Sequence, residues 1–368
     1  MKFALSTNWC NQKIESGEEI ADLALKMGFD ALELGFNTSA FQIEGFKRRL
    51  SEIPVVSVHA YAPVPISAPC GSPELYSLAS ANENERALAR LYLAKTVEMA
   101  SALGADTVIL HAGRISISSL FDRRMNSGFL HGKLSDVEYD ARGASYLKVL
   151  GRALSRRRKR AAKVFEIFKA ELEAFMPVLL KNGIVLALEN LPYLEGFPDE
   201  RESLSLVEHF KDAPVKAWFD TGHHHVRMKH GWVDEDAQRI VDDLSSGGHI
   251  RGMHLNDVKD YFDDHLEPGA GAVDFAALSQ MMANVRHIVF EPKSHVSEVS
   301  LLKSLALLKT YSWYMKEKNH YLIELAEKGN GGYDTQGIHR WGRGVRGCGG
   351  ARRGRGGIAA ARADEEVV

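Results

Sequence analysis

The strongest constraint on this chain is a repeated alternation of short apolar runs with longer amphipathic stretches. The runs are KFALST (2–7), DALELG (30–35), VVSVHA (55–60), DTVILH (106–111), IVLALEN (184–190), VKAWFD (215–220), IRGMHLN (250–256) and HIVFEP (287–292). They are apolar without strict alternation, as parallel strands covered by helices are. Between them, apolar residues recur at helical spacing: Ile20, Leu23, Ala24 and Met27 form one face, and Val164, Phe168, Leu172, Phe175 and Leu179 another. Eight strand–helix units predict an α/β fold, a (β/α)₈ TIM barrel, over residues 1–320. A doubly wound open sheet is the structural rival, but eight consecutive units favour closure.

Two segments break the rhythm. An insertion follows the fourth strand (114–151), and the basic run SRRRKRAAK (155–163) leads into the next helix, so that 114–160 stands apart from the barrel repeat. From 329 to 368 the chain is rich in glycine and arginine, with twelve glycines between 329 and 357, and is expected to be a disordered low-complexity tail. The charge is uneven. Seven basic residues between Arg152 and Lys163 and a tail of +3, against a formal net charge of −2, leave the rest at −12. A body that acidic does not attract nucleic acid through its overall field. The three cysteines, Cys10, Cys70 and Cys348, are scattered and form neither a disulfide framework nor a CxxC metal motif. With no signal-like start and no membrane-length apolar run, the expected location is the cytoplasm.

From the third run onward the strand ends carry metal-capable side chains: His59, His111, Glu189, Asp220, His254 and Glu291. In a barrel these C-terminal ends converge on one mouth. A single acid there is commonly a helix N-cap or an ion-pair partner. The same choice at strand after strand calls for a cation, because converging buried charges are costly without a partner. Glu189, Asp220, His254 and Glu291 are the predicted metal ligands, a carboxylate–imidazole set suited to Mn²⁺, Co²⁺, Zn²⁺ or Mg²⁺. His59, His111 and His223, with Asp263 and His265 in the loop after the seventh strand, are candidates for further metal or substrate binding. His224 and His225 carry less weight, since a histidine run is compositionally unspecific. Gly269 and Gly271 of the PGAG turn are candidate backbone positions for a phosphate or substrate group, ahead of a helix expected near Val273.

The motifs SVHA, VILHAG, LALENLP, FDTGHHH, GMHLND, DDHLEPGAGAVDF and FEPK, in this order, resemble those of the xylose-isomerase-like TIM-barrel superfamily. The resemblance runs from about Lys2 to Tyr314 and leaves out the insertion and the tail. It implies two competing activities. In the sugar and sugar-phosphate isomerase/epimerase branch, Glu189, Asp220, His254 and Glu291 would hold one divalent metal, with Glu189 and Glu291 also acting as acid and base. A chelated carbonyl and hydroxyl acidify the C–H between them, and a metal-stabilised enediolate links the two isomers. In the endonuclease IV branch, His59, His111, Glu189, Asp220, His223, His254, Asp263, His265 and Glu291 would hold three zinc ions of a phosphodiesterase acting on abasic-site DNA. The acidic barrel, the proline-rich loop AYAPVPISAPCG without a tyrosine–leucine wedge, and the FNTSAF loop without an arginine favour the isomerase and a small sugar substrate. The basic run at 155–163 favours phosphates. A third reading is a non-catalytic barrel that keeps the metal site and binds a small ligand.

Overall fold

The eight apolar runs become eight parallel strands in the computed structural model, which describes residues 2–66, 68–117 and 143–311. In chain order they are β1 (Ala4–Ser6), β2 (Ala31–Leu34), β3 (Val55–His59), β4 (Thr107–Leu110), β5 (Val185–Glu189), β6 (Val215–Asp220), β7 (Ile250–Leu255) and β8 (His287–Phe290). Each pairs with its sequence neighbours and β1 pairs with β8, so the sheet closes into a barrel. Closure is what the unit count predicted, and it excludes the open sheet.

Helices cover the outer face: α1 (Gly17–Lys26), α2 (Ala40–Lys47), α3 (Glu83–Ala102), α4 (Gly143–Asn182), α5 (Glu200–His209), α6 (Thr221–Lys229), α7 (Glu235–Ser246), α8 (Ser279–Asn284) and α9 (residues 298–311). Their starts are written locally. Ser39 and Gln42 form a capping box on α2, Asp199 and Glu202 form one on α5, and Asp234 caps α7. The main core lies between strands and helices, with Phe168, Leu172 and Leu179 of α4 fully buried in it. Inside the barrel a smaller layer of Ala4, Ala31, Ile109, Ala187 and Val289 surrounds Trp218. Gly252 is required there, because a Cβ would come within 2.3 Å of the Trp218 ring.

Four sequence expectations are revised or concern residues outside those described. The basic run does not lead into a helix; it lies within one, since α4 already begins at Gly143. Residues 118–142 of the insertion and the tail at 329–368 lie outside the described residues. No helix follows Val273 directly, the next one being α8 at Ser279. Outside the barrel sheet, Gly113–Arg114 and Gly196–Phe197 form a short antiparallel ribbon that ties the loops after β4 and β5 together at the mouth. Cys10 is buried, Cys70 exposed, and both are free thiols. Among the described residues no helix is long and apolar enough to cross a membrane.

Candidate metal centre

At the C-terminal mouth the strand ends deliver their acids and imidazoles to one place, in three connected groups. Glu189, Asp220, His254 and Glu291 form the deepest; His59, His111 and Glu189 form a second; His223, Asp263 and His265 form a third. Glu189 belongs to two of them, and its Oε2 lies 3.2 Å from His59 Nε2 and 3.1 Å from His111 Nε2. Its Oε1 lies 3.1 Å from His254 Nδ1. Glu291 approaches the same nitrogen from another strand, its Oε2 also at 3.1 Å. All nine sequence candidates therefore meet at one mouth.

Asp220 combines the bland reading with the functional one. It ends β6 and caps α6, its Oδ1 accepting the His223 backbone N–H at 2.7 Å. Its Oδ2 accepts a bond from Asn256 Nδ2 at 2.6 Å and stands 3.8 Å from His254 Nδ1. One carboxylate thus starts a helix and faces the centre.

The imidazoles are held in one orientation. Carbonyl oxygens only accept, so the ring nitrogen bonded to one must carry the proton. His59 Nδ1 donates to Ala60 O, His223 Nδ1 to Asn190 O and His265 Nδ1 to Glu291 O, each at 2.8 Å. In all three, Nε2 is left facing the site, the arrangement found in metal-binding histidines. Asp263 Oδ1 is buried without a hydrogen-bond partner, 3.1 Å from His265 Nε2 and 3.7 Å from His223 Nε2. Converging lone-pair donors around an unpartnered buried oxygen fit a divalent cation.

The electrostatics agree. Burial opposes ionisation of Glu189, yet His254 and His111 outweigh it and hold its carboxyl well below the ordinary range. Glu291 is lowered in the same way, burial being overcome by His254 and His265. Asp220 moves oppositely, pushed up to about 6 mainly by burial. Burial also disfavours charge on His223 and His265, but Asp220 and Asp263 respectively dominate and raise them to about 10 and about 9.

Above the centre is a cavity of about 320 Å³, near the lower end of the range for ligand pockets of about 300–1,000 Å³. Asn8, Gln12, Asn37, Phe36 and Tyr193 line it together with Glu189 and Glu291, and the Arg114 guanidinium lies over the Tyr193 ring at 3.8 Å. Sequence reasoning missed Asn8, whose Nδ2 bonds Glu291 Oε1 at 3.1 Å, and Glu33, whose carboxylate meets His254 Nε2 at 3.0 Å. Glu33 had a usable signal: it is a carboxylate inside the second apolar run, DALELG.

Two other expectations change. The Gly269 and Gly271 amides donate to Asp257 Oδ2 at 2.9 and 2.8 Å, and Val273 N donates to its Oδ1 at 3.0 Å. The turn wraps the chain's own carboxylate, so those N–H groups are not free for a phosphate. In the basic run, Arg157 is buried and spent on Leu194 O, Gly196 O, Asp199 and Glu202. His224 and His225 line a different cavity, of about 680 Å³, on the outer surface between α6, α7 and α8.

A family model described as a xylose isomerase-like TIM barrel matches residues 21–311. The chain belongs to that family. Solved structures are similar to it as well. A D-tagatose 3-epimerase-like protein is 21% identical, with a TM-score of 0.59 over 86% of this chain and 99% of that one. The 3-keto-D-glucoside 4-epimerase of E. coli is 18% identical, with a TM-score of 0.56 over 84% and 99%. An L-ribulose 3-epimerase is 17% identical, with a TM-score of 0.56 over 91% and 100%. At these identities the likeness establishes the fold alone. No curated protein sequence matches the chain.

Proposed function

We propose that this xylose isomerase-like barrel is a divalent-metal-dependent sugar isomerase or epimerase, with Glu189 and Glu291 as its acid–base pair. The observation that carries the reading is the placement of two buried carboxylates from β5 and the end of β8. Both lie 3.1 Å from one imidazole nitrogen, at the floor of a cavity sized for a small molecule. The structural relatives named above support it, since each is a carbohydrate 3- or 4-epimerase or resembles one.

Glu189, Asp220, His254 and Glu291 would hold the cation, drawn from Mn²⁺, Co²⁺, Zn²⁺ or Mg²⁺. When bound, it supplies Lewis-acid polarisation of a substrate carbonyl and its neighbouring hydroxyl. One glutamate removes the proton from the carbon between them, giving an enediolate, and the other returns a proton to the opposite face or the adjacent carbon. Asn8 fixes the Glu291 carboxylate for that transfer through its hydrogen bond to Oε1. The amides of Asn8, Gln12 and Asn37 suit hydroxyl recognition, and the Phe36 and Tyr193 side chains supply apolar lining.

The test is incorporation of solvent deuterium into a ketose at C3, followed by NMR over a panel of free and phosphorylated ketoses. A second reading, an endonuclease IV-like zinc phosphodiesterase, is favoured by one observation: the nine donors fall into three groups rather than one. Cleavage of an abasic-site duplex that is lost in Glu291→Gln, without deuterium exchange into any ketose, would replace the first reading with the second.

A further inference from the structure

Glu33 lies outside the three ligand groups, yet it is fully buried in the barrel interior. Its β2 strand pairs irregularly with β3 between Leu32 and Glu33, and beyond the irregularity Glu33 stands opposite Ser57. Such irregularities re-aim side chains next to sites. Ser57 Oγ donates to Glu33 Oε2 at 2.8 Å. Both carboxylate oxygens then reach His254 Nε2 across the barrel, at 3.0 and 3.2 Å. His254 has no freedom left. Its ring stacks on His59 at 6.0 Å and 10°, and Trp218 meets it edge-on at 5.1 Å. A carboxylate is an acceptor only, so Glu33 accepts from Nε2 as Glu189 and Glu291 would from Nδ1; once a cation took the Nδ1 lone pair, the remaining hydrogen would sit on Nε2, facing Glu33. The opposite nitrogen, Nδ1, is the one 3.1 Å from both Glu189 and Glu291.

We propose that Glu33 is a positioning residue for the metal centre: held by Ser57, it fixes the His254 ring and tautomer so that Nδ1 is presented as a ligand nitrogen. Carboxylates behind ligating histidines raise ligand basicity and fix ring orientation, and their loss costs about 10- to 100-fold in metal affinity. The inference rests on the metal-dependent reading of the same centre and adds a role that none of the nine candidate ligands fills. Ser57 acts one step further out, through Glu33 alone.

The experiment is Co²⁺ titration of the full chain, read by visible absorption and by competition with a chelator, for wild type, Glu33→Gln, Glu33→Ala and Ser57→Ala. Expected is a 10- to 100-fold weaker Co²⁺ affinity for both Glu33 variants, with an altered absorption envelope as the His254 ligand is perturbed. Ser57→Ala should show a smaller loss, about 2- to 10-fold, for one hydrogen bond. Melting of the metal-free variants separates folding from positioning, and Ser57→Ala keeps the test sharp if the Glu33 variants do not fold. Wild-type affinity and spectrum in folded Glu33→Gln, or in Ser57→Ala where only that variant folds, would overturn the proposal. It would leave the isomerase reading in place if wild type still exchanges deuterium into a ketose. Weakened Co²⁺ binding in the variants of a chain that exchanges no ketose proton would instead retain the positioning role and remove the isomerase.

Discussion

Glu189 and Glu291 converge on His254 Nδ1, each with a carboxylate oxygen 3.1 Å away. They come from strands separated by β6 and β7, one ending β5 and the other directly following β8. In the proposed reading, a cation bound at that nitrogen would lie beside both proton-transfer groups.

Replacing either acid by its amide keeps shape and removes the proton acceptor. Glu189→Gln and Glu291→Gln are each expected to slow deuterium wash-in by about 10²- to 10⁴-fold, the usual contribution of a general base. Circular dichroism should show the barrel intact. A variant that unfolds would show Glu189 to be structural instead.

Metal removal should abolish turnover, and re-addition of a divalent ion should restore it. Binding to the folded chain alone also stabilises it, by about 2.7 kcal/mol at a free-metal concentration of 100 times Kd. The check is a melting series with added Mn²⁺, Co²⁺ or Zn²⁺, paired with elemental analysis. One ion per chain fits the isomerase, whereas three zinc ions fit the phosphodiesterase.

Acidity should act through His223 and His265, raised to about 10 and about 9 against burial by Asp220 and Asp263 respectively. Their folded values lie above the unfolded value of about 6.5. Their contribution to the metal-free fold is therefore fully present below about pH 6.5 and lost as pH rises through 9 to 10. Metal binding needs these imidazoles neutral, so affinity should rise over the same interval and binding should release protons. Calorimetry in two buffers of different ionisation enthalpy reads that release directly; equal heats in both would contradict it.

Arg157 should matter for stability rather than for nucleic acid. Its guanidinium is buried between Asp199, Glu202 and the Leu194 and Gly196 carbonyls, and so anchors the loop that carries Tyr193 to the cavity. Arg157→Met leaves two acids unpaired and is expected to cost about 3–5 kcal/mol. Lys159→Ala, on the exposed face of the same helix, should stay within about 0.5 kcal/mol. Thermal melts of both variants decide it.

Much of the fold and of the site is legible in the sequence. Strand positions and the strand-end acids and histidines follow from short-range apolar periodicity, and in a closed barrel a strand's C-terminal end has only one place to go. Less was legible where one residue's meaning depends on a distant one. The basic run looks like an electrostatic strip until α4 turns Arg157 into the core. The PGAG glycines look like an anion cradle until Asp257 fills it. Glu33 looks like a charged interruption of a strand until the irregular pairing beside it aims it at His254.

The sequence by itself determined the barrel and the nine donors, because both are written as local pattern: an apolar run, its polar end, the helix that follows. Only the tertiary structure decided which nitrogen of each imidazole faces the centre and which carboxylate stands behind it. Those choices are made by hydrogen bonds such as Glu33–His254, which join residues 221 positions apart. Closing the sheet brings such groups within 3 Å of one another, and no local pattern encodes that distance.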